Sequence, residues 1–99
     1  MVLKLYSLYD VKTEVFHPAN YCHNVGHAMR VFTQAGNQKD SMIQAWPEDF
    51  RVFELGSFDD QSGVITPLDK PHLAFNMSEL VTHSADVDGE GVPIPFDVK

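Results

Sequence analysis

The sequence predicts a small α+β domain, an antiparallel sheet of three to five strands with one main helix packed on one face. Three observations carry this. Val2 to Phe16 is rich in alternating β-formers, Asn24 to Ala35 holds one amphipathic helical period, and Arg51 to Thr66 reads as two strands around a turn. The 99 residues suit one domain with one real core. That domain is read as residues 1–84. Residues 85–99, with four acids, Gly89, Gly91, Pro93 and Pro95, read as an extended acidic tail. Within it Val92, Ile94, Phe96 and Val98 alternate, so a strand would form there if an open sheet edge were offered.

At the N-terminus Leu3 and Leu5 alternate with Lys4 and Tyr6, and Thr13, Val15 and Phe16 resume the pattern after Asp10. This is one long bent strand or two strands meeting near Tyr9–Lys12, because Asp in such a run marks a bulge or turn. His17-Pro18 ends it, since Pro holds its predecessor extended and cannot continue a ladder. Asn24 is a good N-cap for the helix. Val25, Ala28, Met29, Phe32 and Ala35 make its apolar stripe, and Gly36-Asn37 stops it. Asp40 to Trp46 adds a further helical turn.

Pro47 is preset for the first position of a 3₁₀ turn, with Glu48 and Asp49 near its positive end. The strand from Arg51 alternates, and its Phe53/Leu55 face is the one expected inside. Asp59-Asp60-Gln61-Ser62-Gly63 is a hairpin loop of turn formers. Val64-Ile65-Thr66 returns, and Pro67 stops this strand or confines it to an edge. His72 to Phe75 reads as a short edge strand and Ser78 to Val81 as a turn or short strand. The expected core is Leu3, Leu5, Val15, Val25, Met29, Phe32, Phe53 and Leu55.

The charge balance limits function. Net charge is −7, unevenly placed. Residues 1–47 carry Lys4, Lys12, Arg30 and Lys39 against Asp10, Glu14 and Asp40, while residues 48–99 carry three bases against eleven acids. Phosphate-binding surfaces are built from clustered Lys and Arg, so this balance argues against a strong general nucleic-acid binder. The opening Met-Val-Leu-Lys-Leu-Tyr is a strand pattern rather than a signal peptide, and no apolar run reaches membrane-spanning length. Cys22 is the single cysteine, which excludes an intrachain disulfide and fits a reducing compartment.

Three sets of residues have chemistry to weigh. His17, Cys22, His23 and His27 are zinc-ligand types, with His23 and His27 four apart on a helix start. No standard ligand spacing accompanies them, and no bound metal or other cofactor is expected. Cys22 as a nucleophile would need a base and an oxyanion hole that no motif supplies, so no enzyme activity and no catalytic residue is expected. The Asp59-Asp60 pair lacks the longer ligand pattern of a calcium loop and reads as turn chemistry. The third set interleaves aromatic and basic residues: Lys4, Tyr6, Tyr9, Lys12, Tyr21, Arg30 and Arg51. Bases stacked on Tyr beside Lys or Arg are how single strands are held without sequence preference, so Lys4, Tyr6, Tyr9, Lys12, Arg30 and Arg51 are the candidate nucleic-acid patch.

Two blocks and the helix between them resemble a known family. They are Lys4-Leu5-Tyr6-Ser7-Leu8-Tyr9-Asp10-Val11-Lys12, the helix His23-Asn24 … Ala28-x-Arg30-x-Phe32, and Pro47-Glu48-Asp49-Phe50 … Gly56-Ser57-Phe58-Asp59-Asp60 … Gly63. In this order they resemble the small nonstructural protein of gokushoviruses, single-stranded-DNA phages of the microvirus family. The resemblance spans roughly residues 4 to 68. Trp46 stands where the family pattern has His. The resemblance implies an accessory protein that acts in the cytoplasm of the infected bacterium, in single-stranded genome synthesis or packaging, with no active-site residues. The expected mode is protein–protein binding to a phage replication or capsid protein, for which the acidic C-terminal half is suited. Direct binding of single-stranded DNA is the alternative, and a small metal or thiol enzyme is a remote third. A sheet with one bare face also predicts a homodimer.

Overall fold

A computed structural model describes residues 1–81. The expected tail strand lies outside the described residues. Five strands form one antiparallel sheet, β1 (Val2–Asp10), β2 (Val15–Phe16), β3 (Asn20–Cys22), β4 (Phe50–Asp59) and β5 (Ile65–Asn76). β1 lies between β4 on one side and both β2 and β3 on the other, and β5 closes the far edge. The main helix α1 (Val25–Gly36) follows β3, and a single turn, α2 (Met42–Ala45), leads to the 3₁₀ turn Pro47–Asp49.

The N-terminal β-run is two strands. Asp10 is almost buried, and its carboxylate accepts the backbone N–H of Lys12 at 2.9 Å and of Thr13 at 3.3 Å. Glu14 completes the reversal at φ 60°. Pro18 does end β2, yet the chain stays beside β1. The His17 N–H donates to the Leu8 carbonyl at 2.8 Å, and the buried Ser7 hydroxyl donates to the His17 carbonyl at 2.6 Å. This carries the backbone past the proline into β3, a strand that the sequence reading missed because it took Pro18 as the end of pairing.

The helix starts where expected. The Asn24 side chain accepts from the His27 N–H at 2.9 Å, satisfying one of the free donors of the first turn. Ala28, Phe32 and Gly36, four apart, are its buried residues. Phe32 meets Phe75 edge-on at 6.1 Å, above a core of Tyr6, Leu8, Cys22, Phe50, Val52 and Met77. The Gly36 end packs close to Val81, Met77 and Ile43.

Several expected core positions are corrected. Val25 is exposed because the helix reaches the sheet only one turn later, at Ala28. Val15 is exposed because β2 is a two-residue edge strand with nothing packed over it. Leu3, Met29, Phe53 and Leu55 are half-buried; of the expected set only Leu5 and Phe32 are buried, and only Phe32 belongs to the core cluster under the helix. On β4 the inward face is Phe50 and Val52 rather than Phe53 and Leu55, because Val52 pairs with the core residues Leu8 and Phe75. A bulge then places Leu55 as an extra residue between Glu54, opposite Tyr6, and Gly56, opposite Leu5, so strict alternation fails there.

The hairpin loop is turn chemistry. Asp59 accepts from the Gln61 N–H at 2.9 Å, Ser62 accepts from the Val64 N–H at 3.2 Å, and Gly63 sits at φ 78°. Pro67 and Pro71 both lie in β5, which is an edge strand, so their missing N–H groups leave the continuous strand intact through Phe75. His72 to Phe75 is thus part of β5, and Ser78 to Val81, read as a turn or short strand, is a turn that begins inside the 3₁₀ turn Met77–Glu79.

Candidate binding face

Residues paired across an antiparallel sheet project to the same side, so the register sorts the strands into two faces. Tyr6, Leu8, Phe50, Val52 and Phe75 share the helix side and are buried. The other side carries Leu3, Leu5, Ser7 and Tyr9 from β1. Phe16, Tyr21, Phe53, Phe58, Ile65 and Leu73 are their partners, direct or through β4. No helix among the described residues covers this side.

Two aromatic groups stand on it. Tyr9, Phe16 and Phe53 form a triangle, with ring centroids 4.5 Å apart for Tyr9–Phe16, 5.8 Å for Tyr9–Phe53 and 5.6 Å for Phe16–Phe53. Toward the hairpin end Tyr21 lies against Phe58 at 5.1 Å. Such ring pairs add stability beyond their buried area, and they hold one another in fixed orientations. Phe16 and Tyr21 remain 41% and 52% exposed, and Ile65 and Leu73 are 56% and 46% exposed. This is a preformed apolar surface.

Charge is sorted across the sheet as well. Asp10, Glu54 and Asp59 pair at helix-side positions; among the described residues no Asp or Glu takes a paired position on the aromatic side. Arg51, opposite Tyr9, is the charged residue at these paired positions and is exposed; Asp69 and Lys70 are exposed in the unpaired stretch of β5 between Pro67 and His72.

The six residues of the expected nucleic-acid patch are divided by this geometry. Tyr6 is 1% exposed, and burial raises its phenol above the usual range. Lys4 faces the helix side, 3.8 Å from the Glu54 carboxylate. Arg30 is on α1, and Lys12 is exposed in the turn after β1. Only Tyr9 and Arg51 are brought together on the aromatic side. Phe16, Phe53 and Phe58 had been passed over, and Tyr21, weighed with the aromatic and basic residues, joins this side against Phe58. Rings spaced along β4 were the signal for Phe53 and Phe58, but which rings meet depends on the register of four strands.

The His and Cys residues are likewise separated. Cys22 is fully buried in the core, where burial pushes its thiol up. His17 is exposed beside β1. His23 and His27 stack at 5.1 Å, and the His23 N–H donates to His27 Nδ1 at 3.1 Å. With Asn24, Gly26 and Arg30 they line an open hollow of about 460 Å³ at the helix start. Among the described residues no three His, Cys, Asp or Glu side chains gather as a metal site would need, and no helix is long and apolar enough to cross a membrane.

The model of the Phage ORF5 protein family matches residues 3–80. The chain belongs to that family. The match starts at β1 and runs through the 3₁₀ turn Met77–Glu79, so it takes in both sides of the sheet and the whole of β5. It also extends past Leu68, where the resemblance in the sequence ended. No curated protein and no solved structure matches the chain. Membership makes it a small phage protein of accessory kind.

Proposed function

We propose that this phage protein is a non-enzymatic accessory factor that acts by binding protein. The observation that supports this best is the bare aromatic side of the sheet, a preformed apolar surface whose paired positions carry no acid, on so small a domain. The setting is the one its sequence resemblance implies: a gokushovirus-type phage of the microvirus family, in the cytoplasm of the infected bacterium, during single-stranded genome synthesis or packaging. The net charge of −7 favours basic phage proteins, a replication or capsid protein among them, by raising their rate of encounter.

One observation favours the second reading, single-stranded DNA. Tyr9 and Arg51 lie side by side among five rings, the composition of a stacking platform. Against it stands the sparseness of bases: one cation on that side supports few phosphate contacts. The deciding experiment titrates the protein against a fluorescent oligothymidylate and, separately, against purified phage replication and capsid proteins, at low and physiological salt. Protein binding that survives physiological salt, with oligonucleotide binding weak or lost there, is the expected result. Tight oligonucleotide binding at physiological salt with no phage protein bound would reverse the ranking.

A further inference from the structure

We infer that the aromatic side of the sheet is the interface with a second copy of this chain, so that the working unit is a face-to-face dimer. This rests on the reading of that side as a protein-binding surface and makes its occupant a second copy, so that a basic phage protein would meet the acidic remainder of the surface. Area is the first reason. Taking about 200 Å² for a fully exposed side chain of this size, Phe16, Tyr21, Ile65 and Leu73 together with the half-buried Leu3, Tyr9, Phe53 and Phe58 present about 500 Å² of apolar surface. A stable interface takes about 800 Å² from each partner, a little over half of it apolar, which is about 450 Å². One copy therefore supplies the apolar share that a matching copy requires.

Charge is the second reason. A chain of net charge −7 repels its own kind wherever carboxylates would meet. The paired positions of this side hold no carboxylate, while Asp10, Glu54 and Asp59 lie on the other side, so two copies that meet over the rings of β1 to β4 bring no carboxylates together there; Asp69 stays on the edge strand β5, outside the paired positions. The arrangement of rings is the third. The Tyr9–Phe16–Phe53 triangle and the Tyr21–Phe58 pair lie at opposite ends of β1. A two-fold axis lying between the sheets and across the strands sets the triangle of one copy over the pair of the other, twice, as an isologous contact demands. Two sheets stacked in this way complete a sandwich whose second layer each chain lacks.

Phe16 is on an edge strand and 41% exposed, so Phe16→Glu changes the surface with little effect on the core. In light scattering on a sizing column, the wild-type chain at about 100 µM, well above a micromolar dissociation constant, is expected at twice the 11.1 kDa chain mass. Phe16→Glu should raise the dimer dissociation constant by at least about 100-fold, since each interface then carries two buried carboxylates. Met42→Glu, on an exposed residue of α2, should leave the dimer intact. Unchanged far-ultraviolet circular dichroism and urea midpoint would show that Phe16→Glu still folds. A wild-type monomer at this concentration, or a dimer unaffected by Phe16→Glu and by Tyr21→Glu, overturns the inference. A monomer that nonetheless binds a phage protein through Phe16 would do so while leaving the protein-binding reading standing. A wild-type monomer that binds none through it would remove both.

Discussion

Gly56→Ala probes the tightest backbone approach in the sheet, and its cost can be worked from distances. A Cβ on Gly56 would lie 2.4 Å from the Thr66 carbonyl oxygen and 2.8 Å from Pro67 Cα. Both atoms are backbone of β5, so no side chain can turn aside, and the Gly56–Pro67 pairing at the bulge must open. Overpacking of this kind costs about 1–3 kcal/mol. A strained or lost ladder hydrogen bond adds about 1 kcal/mol. The lower entropy of alanine in the unfolded chain returns about 0.4–1 kcal/mol. The net expectation is a loss of about 2–3 kcal/mol. Gly36→Ala is the internal comparison. Its Cβ would lie 2.6 Å from Val81 Cγ2, 2.9 Å from Met77 Cε and 3.1 Å from Ile43 Cγ2, side-chain atoms rather than backbone, of which only the Met77 end is flexible. Alanine also regains up to about 1 kcal/mol of helix propensity, so Gly36→Ala should cost less than Gly56→Ala. Equilibrium urea unfolding of both variants at fixed protein concentration gives the two numbers. Equal costs, or a Gly56→Ala change below about 0.5 kcal/mol, would refute the claim that backbone rigidity sets the penalty.

Phe32→Ala removes a 4% exposed ring that meets Phe75, and should cost about 3–5 kcal/mol in the same unfolding assay. Cys22 is fully buried with its thiol pushed up, so a thiol reagent should label it only after urea is added; rapid labelling of the folded protein would contradict its placement. The Asp59 carboxyl is held below its ordinary value of 3.8, first by the Gln61 N–H and then by Ser62. Its folded-state pKa is lowered, so its contribution is present above 3.8 and is lost as pH falls through the lower folded value. A carboxyl titration followed by NMR should show that midpoint below 3.8, and a midpoint at or above it would contradict the loop geometry.

Local chemistry was legible in the sequence wherever it acts over a few residues. The Asn24 cap, the Pro47 turn and the Asp59–Gly63 loop each depend on side chain–backbone contacts or fixed dihedrals within about four positions, and each stands in the fold; of the two alternatives for Val2–Phe16, two strands is the one found. β3 was missed because its pairing past Pro18 is held by Ser7, ten residues from His17 in the chain. Inside and outside on β4 were read the wrong way because Phe53 and Leu55 outrank Val52 in bulk, while register decides burial. Pairing of Val52 with Leu8 and Phe75 puts it under the helix, and the bulge at Leu55 breaks the alternation that sequence patterns assume. The same non-local register dismantled the expected basic patch by burying Tyr6 and turning Lys4 toward Glu54. It also gathered Tyr9, Phe16, Phe53, Tyr21 and Phe58, from four strands, into the bare face. The sequence by itself determined the kinds and order of most elements, β3 and the unbroken length of β5 apart, because these follow from near-neighbour sterics and hydrogen bonding. Which side of the sheet is core and which is free to bind was decided only by the tertiary structure, because a one-residue shift in pairing exchanges the two.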